Sequence, residues 1–364
     1  MKNITKKVVV LFSSLFLSVS AFAGELTVTG SANASYVVNG GQANNNDKGL
    51  GISNELMFAA SGELDNGFTW NYHTELDMAD GGAASNDDTA LVIGMGDLGT
   101  LGIYDAEGGQ STELGYGIGA LGVGMDYGNT MTTRGAFGYD VSADPHISYA
   151  LPSGILPLGI SISGGYAPNT GDGQGNSFKS AGGVSTGDQN GAAAQQIKVT
   201  AAPVDGLSIG ADYYEGVNTS GSGQLKNGGN MYAQYAMGNF KVGYMKGFGE
   251  PGRSNKAATA SADTATASNA EQYLHTGYGI EFAVNDNLSI SYQIEQSERN
   301  DKTLAANGGT TYVDSKVEAE ATVYQISYNI GGATAGLHVV DTDNSDFVSG
   351  KTETKSIFAL SMAF

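Results

Sequence analysis

Three carboxylates in the run DTDNSD, those of Asp341, Asp343 and Asp346, recur at a spacing that can supply oxygen ligands to calcium. The run lacks the central glycine and closing glutamate of an EF-hand loop, so a solvated acidic loop is the competing reading. Four histidines, His73, His146, His275 and His338, lie far apart, and none stands in a motif that joins a nucleophile, a base and an orienting group. Polar lining of a wet interior accounts for them better than catalysis does. The glycines between Gly115 and Gly124 imitate a nucleotide-binding fingerprint but follow no strand–helix–strand pattern. A formal charge of −20 sets the chain against phosphate-directed nucleic-acid binding, and the lack of cysteine excludes disulfides and thiolate metal sites.

The elements that carry these residues repeat with a period of two. Leu26, Val28, Ala32, Ala34, Tyr36 and Val38 alternate with polar or small residues, and Phe68, Trp70, Tyr72, Leu76 and Met78 oppose Thr69, Asn71, His73, Glu75 and Asp77. That is the pattern of a β-strand with unlike faces. Tight connections occur at Asp65-Asn66-Gly67, Asp97-Leu98-Gly99, Ser153 to Leu158, Asp205-Gly206, Gly238-Asn239, Asn285-Asp286-Asn287 and Gly331-Gly332. Between them lie long polar stretches at 39–49, 79–88, 106–145, 169–193, 218–227, 250–269, 300–316 and 343–351. Seven short turns alternating with eight long loops predict sixteen strands with both ends at the short-turn rim.

Which face is oily follows from the leader. Lys2, Lys6 and Lys7 precede an apolar run from Val8 to Val19 that ends in Ala21-Phe22-Ala23, a secretory signal over residues 1–23 and too short to cross a membrane as a helix. Cleavage after Ala23 leaves 364 − 23 = 341 residues and, with three lysines gone, a charge of −20 − 3 = −23. An exported chain whose strands carry Leu288, Ile290, Tyr292 and Ile294 on one face and Ser289, Ser291, Gln293 and Glu295 on the other suits a barrel with a lipid-facing exterior. The predicted fold is therefore all-β, a transmembrane antiparallel up-and-down barrel over 24–364.

The chain ends in SIFALSMAF, with Phe358, Leu360, Met362 and Phe364 on one face. This resembles the C-terminal assembly signal of outer-membrane barrels. By length, strand count, acidity and terminal Phe364, the mature chain resembles alphaproteobacterial members of the general porin superfamily. The resemblance implies a water-filled homotrimeric channel for small hydrophilic solutes, set in the bilayer with its lipopolysaccharide and inserted by the barrel assembly machinery. It also implies that the longest loop, the one after the fifth strand, folds into the lumen as a constriction, and 106–145 occupies that place.

Charges on that loop would stand where the field is most concentrated. Glu107, Glu113, Asp126, Asp140 and Asp144 oppose Arg134 as the loop's one fixed cation. The family's wall of arginines has no counterpart, since Arg253 and Arg299 are the only others in the chain and fall at loop positions. Glu55, His73, Glu75, Asp77, Lys198, Lys241 and Glu281 are predicted to line the pore, which should be net negative and prefer cations. No cofactor beyond calcium is suggested. A substrate-specific channel, a barrel enzyme and an adhesive surface barrel are the alternatives.

Overall fold

The computed structural model describes residues 26–41, 48–77, 85–112, 139–168, 193–216, 225–250, 270–304 and 312–364. The leader and the middle of the longest loop, with Glu113, Asp126 and Arg134, lie outside the described residues. Among them sixteen strands form one closed antiparallel barrel in which each strand pairs with its neighbours in sequence and β1 pairs with β16. In order they are β1 (Thr27–Gly41), β2 (Lys48–Glu63), β3 (Thr69–Asp77), β4 (Ser85–Gly94), β5 (Thr100–Asp105), β6 (His146–Ala150), β7 (Ser161–Ala167), β8 (Ala194–Ala201), β9 (Leu207–Gly216), β10 (Asn227–Met237), β11 (Phe240–Glu250), β12 (Ala270–Ala283), β13 (Leu288–Leu304), β14 (Tyr312–Asn329), β15 (Ala333–Asp343) and β16 (Thr352–Ala363). The seven predicted turns all connect strands at one rim.

Register converts the period-two pattern into two unlike surfaces. Tyr235, Val242, Ile280, Tyr292, Tyr324 and Val339 stand side by side across β10 to β15 and face outward. The adjacent inward row reads Lys241, Glu281, Ser291, Gln325, His338 and Ile357 across β11 to β16. A one-residue slip would exchange the rows and turn charge toward lipid, so the apolar belt holds the register.

Strands outrun the predicted boundaries on the long-loop side. The stretch 300–316, read as loop, is mostly paired strand, with the ladder of β13 and β14 continuing to Leu304 and Tyr312. Its polar sequence (Asn300, Asp301, Lys302) carries no apolar alternation, and the strand there is held by backbone pairing. Backbone pairing there leaves no hydropathy signal.

Closure rests on the chain end. The amide of Gly30 donates to the Phe364 carbonyl at 2.8 Å, and the Phe364 amide donates back to Gly30 at 2.9 Å. A Cβ on Gly30 would sit 2.8 Å from the Phe364 ring, so glycine is what lets the terminal aromatic lie across β1. Gly30→Leu is expected to cost about 1–3 kcal/mol through this overpacking. A lower midpoint for heat unfolding in detergent, followed by gel mobility, checks it.

Candidate pore constriction

The two ends of the 106–145 loop run inside the barrel. The outgoing limb leaves β5 and crosses the inner face of strands far from it in the ring. Ser163 on β7 donates to the Gln110 side-chain oxygen at 2.5 Å, and Lys198 on β8 donates to the Gly109 carbonyl at 3.0 Å. Thr112 then donates through both its amide (2.7 Å) and its hydroxyl (2.6 Å) to one carboxylate oxygen of Asp212 on β9. Asn230 on β10 donates to the Ser111 hydroxyl at 3.2 Å. Contacts with β7 through β10 require a segment laid across the lumen.

The return limb is seated on a small apolar patch. Val141, fully buried, packs with Tyr139 against Ala167, Ala194 and Tyr214 on β7, β8 and β9. Burying a valine contributes about 1.5–3 kcal/mol. Gly165 on β7 makes room: a Cβ there would meet Val141 at 2.7 Å and Gln110 at 3.3 Å. Val141–Ala143 forms one 3-10 turn, capped by Asp140, whose carboxylate accepts from the Ser142 amide at 3.0 Å.

Asp140 departs from its expected role. Besides capping that turn, it accepts from the amides of Gln110 (2.9 Å) and Ser111 (2.6 Å) on the opposite limb. It staples the two limbs together, and its lone pairs are committed to backbone. Glu107 sits at the outgoing root and pairs with His73 on β3.

The predicted lining residues fall into two groups. Glu55, Glu75 and Asp77 converge on the inner wall of β2 and β3, with one ligand-type oxygen from each within 4.8 Å of the others. Lys241 and Glu281 are opposite one another in register and form an ion pair at 3.1 Å. Further round the wall, His275 meets Ser297 at 2.9 Å and Glu295 at 3.4 Å, and Arg299 meets Asp301 at 2.9 Å. Arg299, expected in a loop, is thus a buried wall residue.

The calcium candidate does not assemble. Asp341 and Asp343 lie on the exposed face of β15, where Thr354 donates to Asp341 at 2.8 Å, while Asp346 pairs with Lys351 in the following loop. Alternation along β15 sends the two aspartates out of the barrel, and the turn carries the third elsewhere. Among the described residues the only carboxylate group close enough to share an ion is Glu55, Glu75 and Asp77.

Residues that the sequence did not single out do most of the seating: Gln196, Asp212, Asn230, Thr112 and Lys226. Parity put the wall residues inward, but nothing local indicated that a loop lay over them. Lys226, just before β10, lies 4.4 Å from the Tyr139 ring and 5.6 Å from that of Tyr214, a cation–π arrangement. Burial holds its amine below the usual lysine value, against the pull of Asp144.

Comparison with known proteins adds the family of folds. No protein-family model and no curated protein sequence matches the chain. Among solved structures, an anion-selective porin from Comamonas acidovorans superposes with a TM-score of 0.63 at 14% identity, over 93% of this chain and 99% of that one. OmpF of Salmonella typhi, in complex with daunomycin, gives 0.61 at 14% identity over 94% and 98%. OmpT, an outer membrane protein of Vibrio cholerae, gives in its trimer form 0.60 at 12% identity over 94% and 100%. The chain has the general porin fold.

Burial raises the carboxyl of Asp144 above its ordinary value, and the nearby Lys226 and His146 only partly offset this. The docked loop therefore favours the protonated acid. This contribution is complete below the carboxyl's unfolded value and is lost as pH rises through the raised folded one. Asp144→Asn is expected to unfold later than the unmutated protein at neutral pH, with the gap shrinking as pH falls through the carboxylate range; melting curves across that range read it.

Proposed function

We propose that this chain is a general diffusion porin of the outer membrane, passing small hydrophilic solutes and ions with a preference for cations. The observation that carries the reading is the laying of both loop limbs across the inside of a closed barrel whose outer belt is apolar and whose inner wall is polar. Such a loop narrows an aqueous passage without plugging it with a core. The leader over 1–23 would supply export, and Phe364 the assembly signal. Its acidity and terminal Phe364 keep it beside the alphaproteobacterial members of the superfamily.

An identity of 14% carries no charge pattern across from an anion-selective neighbour, so selectivity rests on this chain's own residues. Glu55, Glu75 and Asp77 bring three carboxylates together on β2 and β3, the wall that the root of the outgoing limb reaches through Glu107 and His73. The two lysines predicted to line the pore are otherwise engaged, Lys198 by the loop and Lys241 by Glu281. The field of the three acids is screened over ~10 Å at 0.1 M salt and ~3 Å at 1 M. Glu55→Gln, Glu75→Gln and Asp77→Asn together should lower the cation preference in reversal potentials under a potassium chloride gradient. Neutralising Asp341 and Asp343 on the outer face should leave it unchanged. Anion preference in the unmutated channel overturns the assignment.

Among the described residues, an enzyme reading would rest on the constellation of Ser297, His275 and Glu295. All three side chains are fully buried, so the hydroxyl is closed to any substrate. The wall function suits them better.

Three copies would associate through the outer face of β1, where Ala32 and Ala34 allow close approach. Gly30, the third small residue there, lies beneath the Phe364 ring, so the contact would centre on the two alanines. Ala32→Trp should convert a trimer band to monomer on an unheated gel while the barrel stays heat-modifiable.

A further inference from the structure

Gln196 on β8 and Asp212 on β9 are diagonal neighbours on the inner wall, both buried, and between them they touch both limbs of the constriction loop. Gln196 accepts from the Val141 amide at 2.9 Å and donates to the Tyr139 carbonyl at 3.2 Å, which binds the return limb. Its second amide proton goes to Asp212 Oδ1 at 3.0 Å. The other oxygen of Asp212 takes the Thr112 amide and hydroxyl of the outgoing limb, and the Asn230 amide at 3.2 Å.

Every bond to Asp212 is one that Asp212 accepts. An acceptor-only side chain at this point forces the Gln196 amide to present its nitrogen to Asp212. That leaves the Gln196 oxygen for Val141 and the remaining proton for Tyr139. Reversing the amide would set oxygen against oxygen and leave the Val141 amide without an acceptor, in a place too buried for water to compensate cheaply. One carboxylate thus dictates the hydrogen bonds of both limbs.

We propose that Gln196 and Asp212 form a clamp that fixes the aperture of the channel: they are positioning residues that hold the loop's two limbs at a set distance from the wall and so keep the pore in one conducting state. This rests on the porin reading above. It is independent of selectivity, since neither side chain has to meet the permeating ion. Asp212→Asn is not conservative here, because either orientation of an asparagine amide turns a donor toward donors.

Full-length protein folded in detergent tests the clamp in two ways. In planar bilayers, Gln196→Ala and Asp212→Asn are expected to raise the frequency of closing events about tenfold each, the scale of one or two buried hydrogen bonds. Thr112→Val, which removes only the loop's hydroxyl, should act in the same direction and serves if Asp212→Asn does not fold. Gln325→Ala, equally buried on β14 and bonded to Ser291 and His338 instead, should leave closing unchanged. Amide exchange over 106–112 and 139–145, measured by mass spectrometry, should speed up in the clamp variants alone. Unchanged exchange and gating in Gln196→Ala, or an equal effect of Gln325→Ala, overturns the clamp. If the unmutated protein passes no current, the porin reading fails, and the exchange data still decide the clamp.

Discussion

Lipid offers a backbone neither donor nor acceptor, so each amide and carbonyl of a membrane-crossing strand has to be answered by another strand. A sheet can meet that demand over its whole width only by closing on itself. In this chain the last link is the pairing of β1 with β16, finished by reciprocal bonds between Gly30 and Phe364. The alternation of side chains, the short turns at one rim and the wet interior all follow from that closure. Once the ring is shut, period two sends one set of residues to lipid and the other to the lumen.

A lumen filled with water would leave a forty-residue loop with no reason to enter it. Two local features supply one. The patch of Val141, Tyr139, Ala167, Ala194 and Tyr214 gives the return limb an apolar seat in an otherwise polar interior. Around it, buried polar groups of the wall complete the hydrogen bonds of the limbs, so that docking leaves few backbone groups unanswered. Because a half-satisfied polar network is worse than none, such seating is cooperative. That cooperativity ties pore geometry to a handful of side chains on β7 to β10.

Charge is distributed by a different logic. Where a carboxylate meets a committed partner it builds structure: Asp140 staples limbs, Asp212 orients an amide, and Asp301 holds Arg299 against β13. Glu55, Glu75 and Asp77 instead crowd one another on the inner wall, where their summed charge would shape the local potential. A formal charge of −20 therefore overstates the field an ion meets, since part of it is spent inside the wall and part faces outward on β15.

The strand count, the seven turns, the orientation of the two faces and the place of the longest loop were all legible in the sequence, because period two and glycine-bearing turns are local properties. So was the inward direction of His73, Lys198, Lys241 and Glu281, which needs only parity along a strand. The long-loop ends of two strands were misread: the ends of β13 and β14 pair without any apolar alternation to announce them. The DTDNSD run looked like a ligand set because its carboxylates are near in sequence, yet β-alternation and a turn separate them in space. Conversely, Glu55 joins Glu75 and Asp77 across a strand pair, twenty residues apart. Only the tertiary structure decided which wall the loop rests on, and with it the roles of Gln196, Asp212 and Lys226. Those roles depend on contacts between strands far apart in the chain, which no local pattern encodes.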